Sequence, residues 1–169
     1  MNFRRFLYFS LIGIWLGLFL SACNVIAYLN EDSFYTDGGD FDLARFPLIK
    51  PYEVERLSDD DAGWWIGFQL PPEERNIDYG GIRNVSKIAI EDEIILAYTP
   101  YTNPTVNRVY FHWFVIIPKE KIETGFEKES DFQDYIQQHD IESPNWLDPT
   151  DLFHKFDLTW CLDWIPACQ

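Results

Sequence analysis

The segment that most restricts the fold is residues 108–117, Arg-Val-Tyr-Phe-His-Trp-Phe-Val-Ile-Ile, stopped by Pro118. Eight of its ten residues are apolar or aromatic. A strand with one wet face would alternate apolar and polar residues, and this run does not. It predicts an interior strand covered on both faces.

Shorter patterns surround it. Residues 63–70, Gly-Trp-Trp-Ile-Gly-Phe-Gln-Leu, read as a buried strand ended by Pro71-Pro72. Residues 48–57 predict an edge strand or two short pieces, because Pro47 and Pro51 withhold N–H donors. Residues 85–90 and 94–99 flank Glu91-Asp92-Glu93 and predict a hairpin. Helix signals come only afterwards. Ser130, with Gln133 three positions on, fits a capping box, and Phe132, Tyr135 and Ile136 then share a face. Asp148-Pro149 opens a second helix, with Leu152, Phe153 and Phe156 on its apolar side. Strands followed by helices predict an α+β fold: one mostly antiparallel sheet of four to five strands, with two C-terminal helices packed on one face. Strands near 64–70, 84–90, 94–99 and 108–117 would form that sheet.

The N-terminus predicts an address. Arg4-Arg5 precede an apolar run over 6–20, broken only by Ser10, Gly13 and Gly17. At about 15 residues the run falls short of the roughly 20 needed to cross a bilayer, and it reads as an export signal. Leu20-Ser21-Ala22-Cys23 at its end resembles the bacterial lipobox. That resemblance implies cleavage before Cys23, a diacylglyceryl group on its thiol, and a lipid-anchored protein of the bacterial cell envelope. Two or more acyl chains make such an anchor stable. Where the host has two membranes, Asn24 after the Cys points to the outer one. The expected division is a signal peptide over 1–22, a lipidated Cys and acidic tether over 23–45, and one domain over 46–169.

Arg4 and Arg5 are the only charges before Cys23, so the mature chain sets 28 acids against 11 bases. That balance excludes nucleic acid as a partner and leaves the acyl chains as the sole expected attraction to a membrane. It suits solubility, and it also suits steering of a basic envelope or secreted protein. Many aromatic rings, among them Trp64, Trp65, Trp113, Trp146, Trp160 and Trp164, require a packed core. With Cys23 given to lipid, Cys161 and Cys168 remain as a pair in an oxidising compartment and read as a disulfide. Its loop is short, worth about 2.5 kcal/mol at most.

Chemistry is sparse. None of the serines after Cys23 lies in a Gly-x-Ser-x-Gly setting, and His112, His139 and His154 lack metal-ligand spacing. His112, inside the apolar strand, reads as a hydrogen-bonded core histidine. The acids Glu31, Asp32, Asp37, Asp40 and Asp42, and the run Asp59-Asp60-Asp61, read as solvated turns rather than calcium sites. Trp64-Trp65 divide between opposite faces of a strand, so at most one is available to stack a sugar.

The segments 85–88, 92–97, 110–117 and 132–135, following a lipobox Cys and a short tether, together resemble a family of small bacterial lipoproteins of unknown function. The resemblance covers roughly residues 80–140 and implies compartment and fold, with no catalytic residues to carry over. The expectation is a non-enzymatic envelope lipoprotein that acts by protein binding, with no metal and no cofactor. The alternatives are an envelope hydrolase using a carboxylate pair, and a sugar-binding lipoprotein.

Overall fold

The computed structural model describes residues 32–36, 42–57, 63–101 and 110–168. The signal over 1–22, Cys23, most of the tether, Asp59-Asp60-Asp61 and residues 108–109 lie outside them.

Among the described residues, eight strands form two four-stranded sheets, each antiparallel and each in sequence order. The first contains β1 (Leu43–Pro47), β2 (Glu53–Leu57), β3 (Trp65–Gly67) and β4 (Gly81–Ile82). The second contains β5 (Lys87–Glu91), β6 (Ile94–Tyr98), β7 (Trp113–Ile117) and β8 (Ile122–Phe126). A helical turn, α1 (Ser33–Thr36), precedes them, while α2 (Glu129–Gln137) and α3 (Pro149–Thr159) follow. Both sheets and the two longer helices belong to the unit that begins at Phe34.

The expected single sheet is therefore two, and the reason lies in the strand that seemed most constraining. Along β7, Phe114 and Ile116 enter one core while Val115 and Ile117 enter another. β6 divides the same way, with Ile95 and Ala97 on one side and Ile94 and Leu96 on the other. A sheet apolar on both faces needs two covers. The first sheet supplies one through Phe46, Val54, Ile66 and Ile82, and α2 supplies the other through Phe132 and Ile136. The strand at 64–70 shortens to β3 and pairs with β2 and β4 rather than with the hairpin. Its Gly81 neighbour has no side chain because the Ile66 carbonyl and the Trp65 ring occupy the space where a Cβ would stand.

The two helices also part company. α2 lies on the second sheet, whereas α3 lies against β1 and sends Leu152 and Phe156 into the core between the sheets. α3 starts as its sequence dictates, with Asp148 Oδ1 accepting from Thr150 N–H at 2.7 Å and Pro149 in the first turn. α2 does not. Its N-cap is Lys128, without a side-chain bond, and the Ser130 hydroxyl donates instead to Asp131 Oδ1. β1 begins at Leu43, inside the stretch expected to be tether, and Arg45 within it is buried. The 48–57 region is neither an edge strand nor two strand pieces: a turn over 48–52, with a cis Lys50–Pro51 bond, links β1 to β2, and β2 lies between β1 and β3. Cys161 and Cys168 are bonded, their Cα atoms 5.7 Å apart. The Trp164 indole N–H holds the loop they close to the Pro47 carbonyl, at 3.1 Å.

Candidate functional site

The side chain that stands out is a charge where an apolar residue is expected. Glu123 of β8 pairs with Ile116 of β7 and shares its core-facing side, and its side chain is fully buried. An isolated carboxylate there would be prohibitively costly, so its partners explain its presence. Oε1 accepts from the Tyr52 hydroxyl at 2.9 Å and from the main-chain N–H groups of Gln69 at 2.5 Å and Leu70 at 3.2 Å. Oε2 faces Arg75 Nη1 at 3.5 Å, and the Arg75 side chain is itself only 4% exposed.

Each partner arrives on a different element. Tyr52 ends the turn between β1 and β2, Gln69 and Leu70 follow β3, and Arg75 follows a 3-10 turn over Pro72–Glu74. The Arg75 guanidinium also lies 4.8 Å from the centre of the Phe68 ring, which compensates part of its desolvation. Its Nε is buried without a hydrogen-bond partner. Burial, then the bond to Glu123, pushes the Tyr52 phenol well above the ordinary tyrosine range and keeps it a donor. Burial, then the neighbouring Asp78, raises Tyr79 likewise.

An open cleft of about 470 Å³ lies beside this cluster. Glu73, Glu74, Arg75 and Asn76 line it from one side, Lys121, Ile122, Glu123 and Thr124 run along β8, and Tyr135 enters from α2. Burial, and then Glu120, raises the Tyr135 phenol. Three donors engage Glu123 Oε1.

A second acidic grouping lies on the face of the first sheet turned away from the core. Glu53 and Glu55 are two apart on β2, and Glu53 Oε2 accepts from Arg45 Nε. Arg45 Nη2 reaches the Phe34 carbonyl at 3.1 Å, which fastens α1 to this face. Burial, then a hydrogen bond to Glu53, raises the Glu55 carboxyl above its usual range. Trp65 is the cross-strand neighbour of Glu55, and the Arg83 guanidinium lies 5.6 Å from its ring centre.

The tryptophan pair divides as its position in a strand requires. Trp64 is buried against Phe46 and bonds Thr150 Oγ1, whereas Trp65 is half-buried on the opposite face. His112 is half-buried, with Nδ1 3.0 Å from the Thr99 carbonyl. Cys23, Glu31, Asp37 and Asp40 fall outside the described residues. Among the described residues no group of three His, Cys, Asp or Glu side chains is placed to hold a metal, and no helix is long and apolar enough to cross a membrane. At the end of α3, Leu158 is 81% exposed, and Trp160 beyond it is also exposed.

Sequence reading missed Glu123 and all its partners. The partners lie 48 to 71 positions away, beyond any local pattern. The available signal was a glutamate between Ile122 and Thr124 in a strand-like stretch, which reads equally well as a solvated position. No protein-family model matches the chain, and no curated protein or solved structure matches it either.

Proposed function

We propose that the chain is a lipid-anchored protein of the bacterial cell envelope that works by binding another protein, one with a basic surface. The observation that carries the reading is the engagement of Glu123. The one carboxylate lining the cleft that is wholly buried joins the two sheets through Tyr52, Gln69, Leu70 and Arg75, which leaves the cleft suited to holding a partner. The Cys161–Cys168 bond supports the compartment, since such bonds persist outside the reducing cytosol. The lipobox ending at Cys23 supports the anchor, and the excess of acids supports the sign of the partner's charge.

Intact-mass spectrometry of the full chain recovered from a bacterial envelope tests the anchor. The expected product lacks residues 1–22 and carries a diacylglyceryl group on Cys23, and Cys23→Ala abolishes both changes. An unacylated chain that retains its first 22 residues overturns it. Cross-linking in the intact envelope, followed by identification of the adduct, tests the binding half. Recovery of the chain as a monomer alone counts against it.

A second reading, hydrolysis by a carboxylate pair, draws on Glu55, whose carboxyl is raised by burial and then by its hydrogen bond to Glu53, the direction an acid partner requires. Glu53 is committed to Arg45, which weighs against its serving as the base. Glycosidase and esterase panels that respond to Glu55→Gln would restore this reading. Sugar stacking draws only on Trp65, whose ring meets Gly81 and Arg83.

A further inference from the structure

The C-terminal end of α3 carries apolar surface that the core does not claim. Leu152 and Phe156 turn inward, whereas Leu158 is 81% exposed and Trp160 is 53% exposed. Trp160 closes the helix with φ 55°, its N–H donating to the Phe156 carbonyl at 2.6 Å. Glycine is the ordinary residue in that left-handed conformation, and a bulky side chain is strained there. An indole is kept on the surface all the same, meeting only Phe156 edge to face, with 5.6 Å between ring centres. Beyond it the Cys161–Cys168 bond closes the chain, with Leu162 and Ile165 buried, so the ring stands on a fixed corner.

The segment that leads back to Cys23 joins the fold beside the same corner. Phe34 and Tyr35 lie toward the Pro47 end of β1: the Phe34 carbonyl accepts from Arg45, and the Tyr35 hydroxyl accepts from the Lys50 N–H at 3.4 Å. The disulfide loop reaches that end too, through Trp164 and the Pro47 carbonyl. Phe34 stands eleven positions after Cys23, a span of at most about 40 Å when fully extended. A folded unit of this size has a radius of gyration of about 14 Å, so a lipid on Cys23 keeps the corner within reach of the bilayer. Two side chains are too few for a stable protein interface, which takes about 800 Å² from each partner. They suffice as a second foothold once the anchor has made the contact intramolecular. Charge gives no help on an anionic surface: Asp157 and Asp163 are exposed, Lys155 is paired with Asp163 at 2.7 Å, and Lys50 alone stands at the tether entry.

We propose that Leu158 and Trp160 form a wedge that contacts the membrane. The leucine enters the acyl region of a zwitterionic bilayer and the indole lies at the headgroup level, where tryptophan is favoured. The domain is then held at two points and in one orientation, by apolar contact rather than by charge. The inference rests on the lipid anchor at Cys23 and adds the surface that meets the bilayer; it is independent of the protein partner.

The test reconstitutes the full chain, purified from the envelope, into phosphatidylcholine vesicles with either ordinary or brominated acyl chains, and flotation records attachment. Bromine quenches tryptophans that reach the acyl boundary. The emission that Trp160→Phe removes should fall at least twofold on bromination, while the emission left in that variant should scarcely change. Leu158→Asp, outside the core, should halve the quenching of Trp160 without altering flotation. Phosphatidylglycerol added to the vesicles should not deepen it. Flotation without quenching, or quenching equal in the parent and in Trp160→Phe, overturns the wedge while leaving the anchor intact. An indole already shielded from aqueous iodide in detergent without vesicles overturns it as well, since a second copy would then cover it. A chain that does not float defeats the anchor, and the wedge with it.

Discussion

Removing the Glu123 carboxylate strands Arg75, whose side chain has little water to turn to. Breaking one member of a buried pair typically costs about 3–5 kcal/mol, and Glu123→Ala should fall in that range by chemical denaturation. A loss below about 1 kcal/mol would show that water reaches the pair freely. Tyr52→Phe removes one donor of several and keeps the ring, so about 1.5–3 kcal/mol is expected, the range for a hydrogen bond to a charged group. The same phenol makes stability depend on alkaline pH. Its ionisation is pushed upward in the folded state by burial and by Glu123, so the unfolded chain loses this proton first as pH rises past about 10. The stabilisation is complete below that pH and declines above it, by about 1.4 kcal/mol per pH unit for the one group. Denaturation midpoints measured from pH 9 to 11.5 should fall less steeply for Tyr52→Phe than for the parent. Parallel curves would remove Tyr52 from the account.

β7 and β8 are neighbours with opposite legibility. β7 could be read because its residues are apolar whichever face they take, so no partner need be known to place it inside. β8 hid for the converse reason. Ile122 and Phe126 pack toward α2, while the side facing the core carries Glu123 and Gly125, a pattern that from sequence alone marks a wet face. Gly125 is there because the Phe111 ring fills its place, 2.8 Å from where a Cβ would sit. The start of α3 was legible because Asp148 and Pro149 act within one turn, whereas the capping box at Ser130 fitted the letters and not the geometry. The doubling of the sheet was half visible: 108–117 demanded two covers, but nothing local said that residues 43–82 would supply one. Gly125→Ala tests the β8 assignment, since the new methyl must displace Phe111. A loss of about 1–3 kcal/mol is expected for such overpacking. Phe114→Ala on the adjoining strand should cost about 3–5 kcal/mol. Glu129→Lys, exposed at the first turn of α2, should cost no more than about 1 kcal/mol, the upper range of a charge at a helix end. Thermal or urea titration of the three variants orders them, and a large effect at Glu129 with none at Phe114 would mean that the burial pattern of this face had been misjudged.

The second sheet serves two cores at once, and that governs how the described unit unfolds. Ile95 and Leu96 are consecutive, both fully buried, and belong to different cores. Neither core can lose its share of β6 while the other keeps it, because adjacent strand residues share one backbone. Glu123 adds a second constraint by fastening the loops around the first sheet to the last strand of the second. One cooperative transition is therefore expected rather than separate melting of the two layers. Tryptophans report on each side: Trp64 contacts Phe46 and Phe153 in the core between the sheets, and Trp146 lies against Trp113 and Phe132 in the core under α2. The fluorescence change lost in Trp64→Phe and that lost in Trp146→Phe should have the same urea midpoint, once each is corrected for its variant's own stability. Reduction of Cys161–Cys168 should move both midpoints together, by no more than about 2.5 kcal/mol, because the bond closes only a short loop at the chain end. If the Trp64 signal melts first, or reduction displaces it alone, the first sheet is an independent cover and the shared-strand account of stability is wrong.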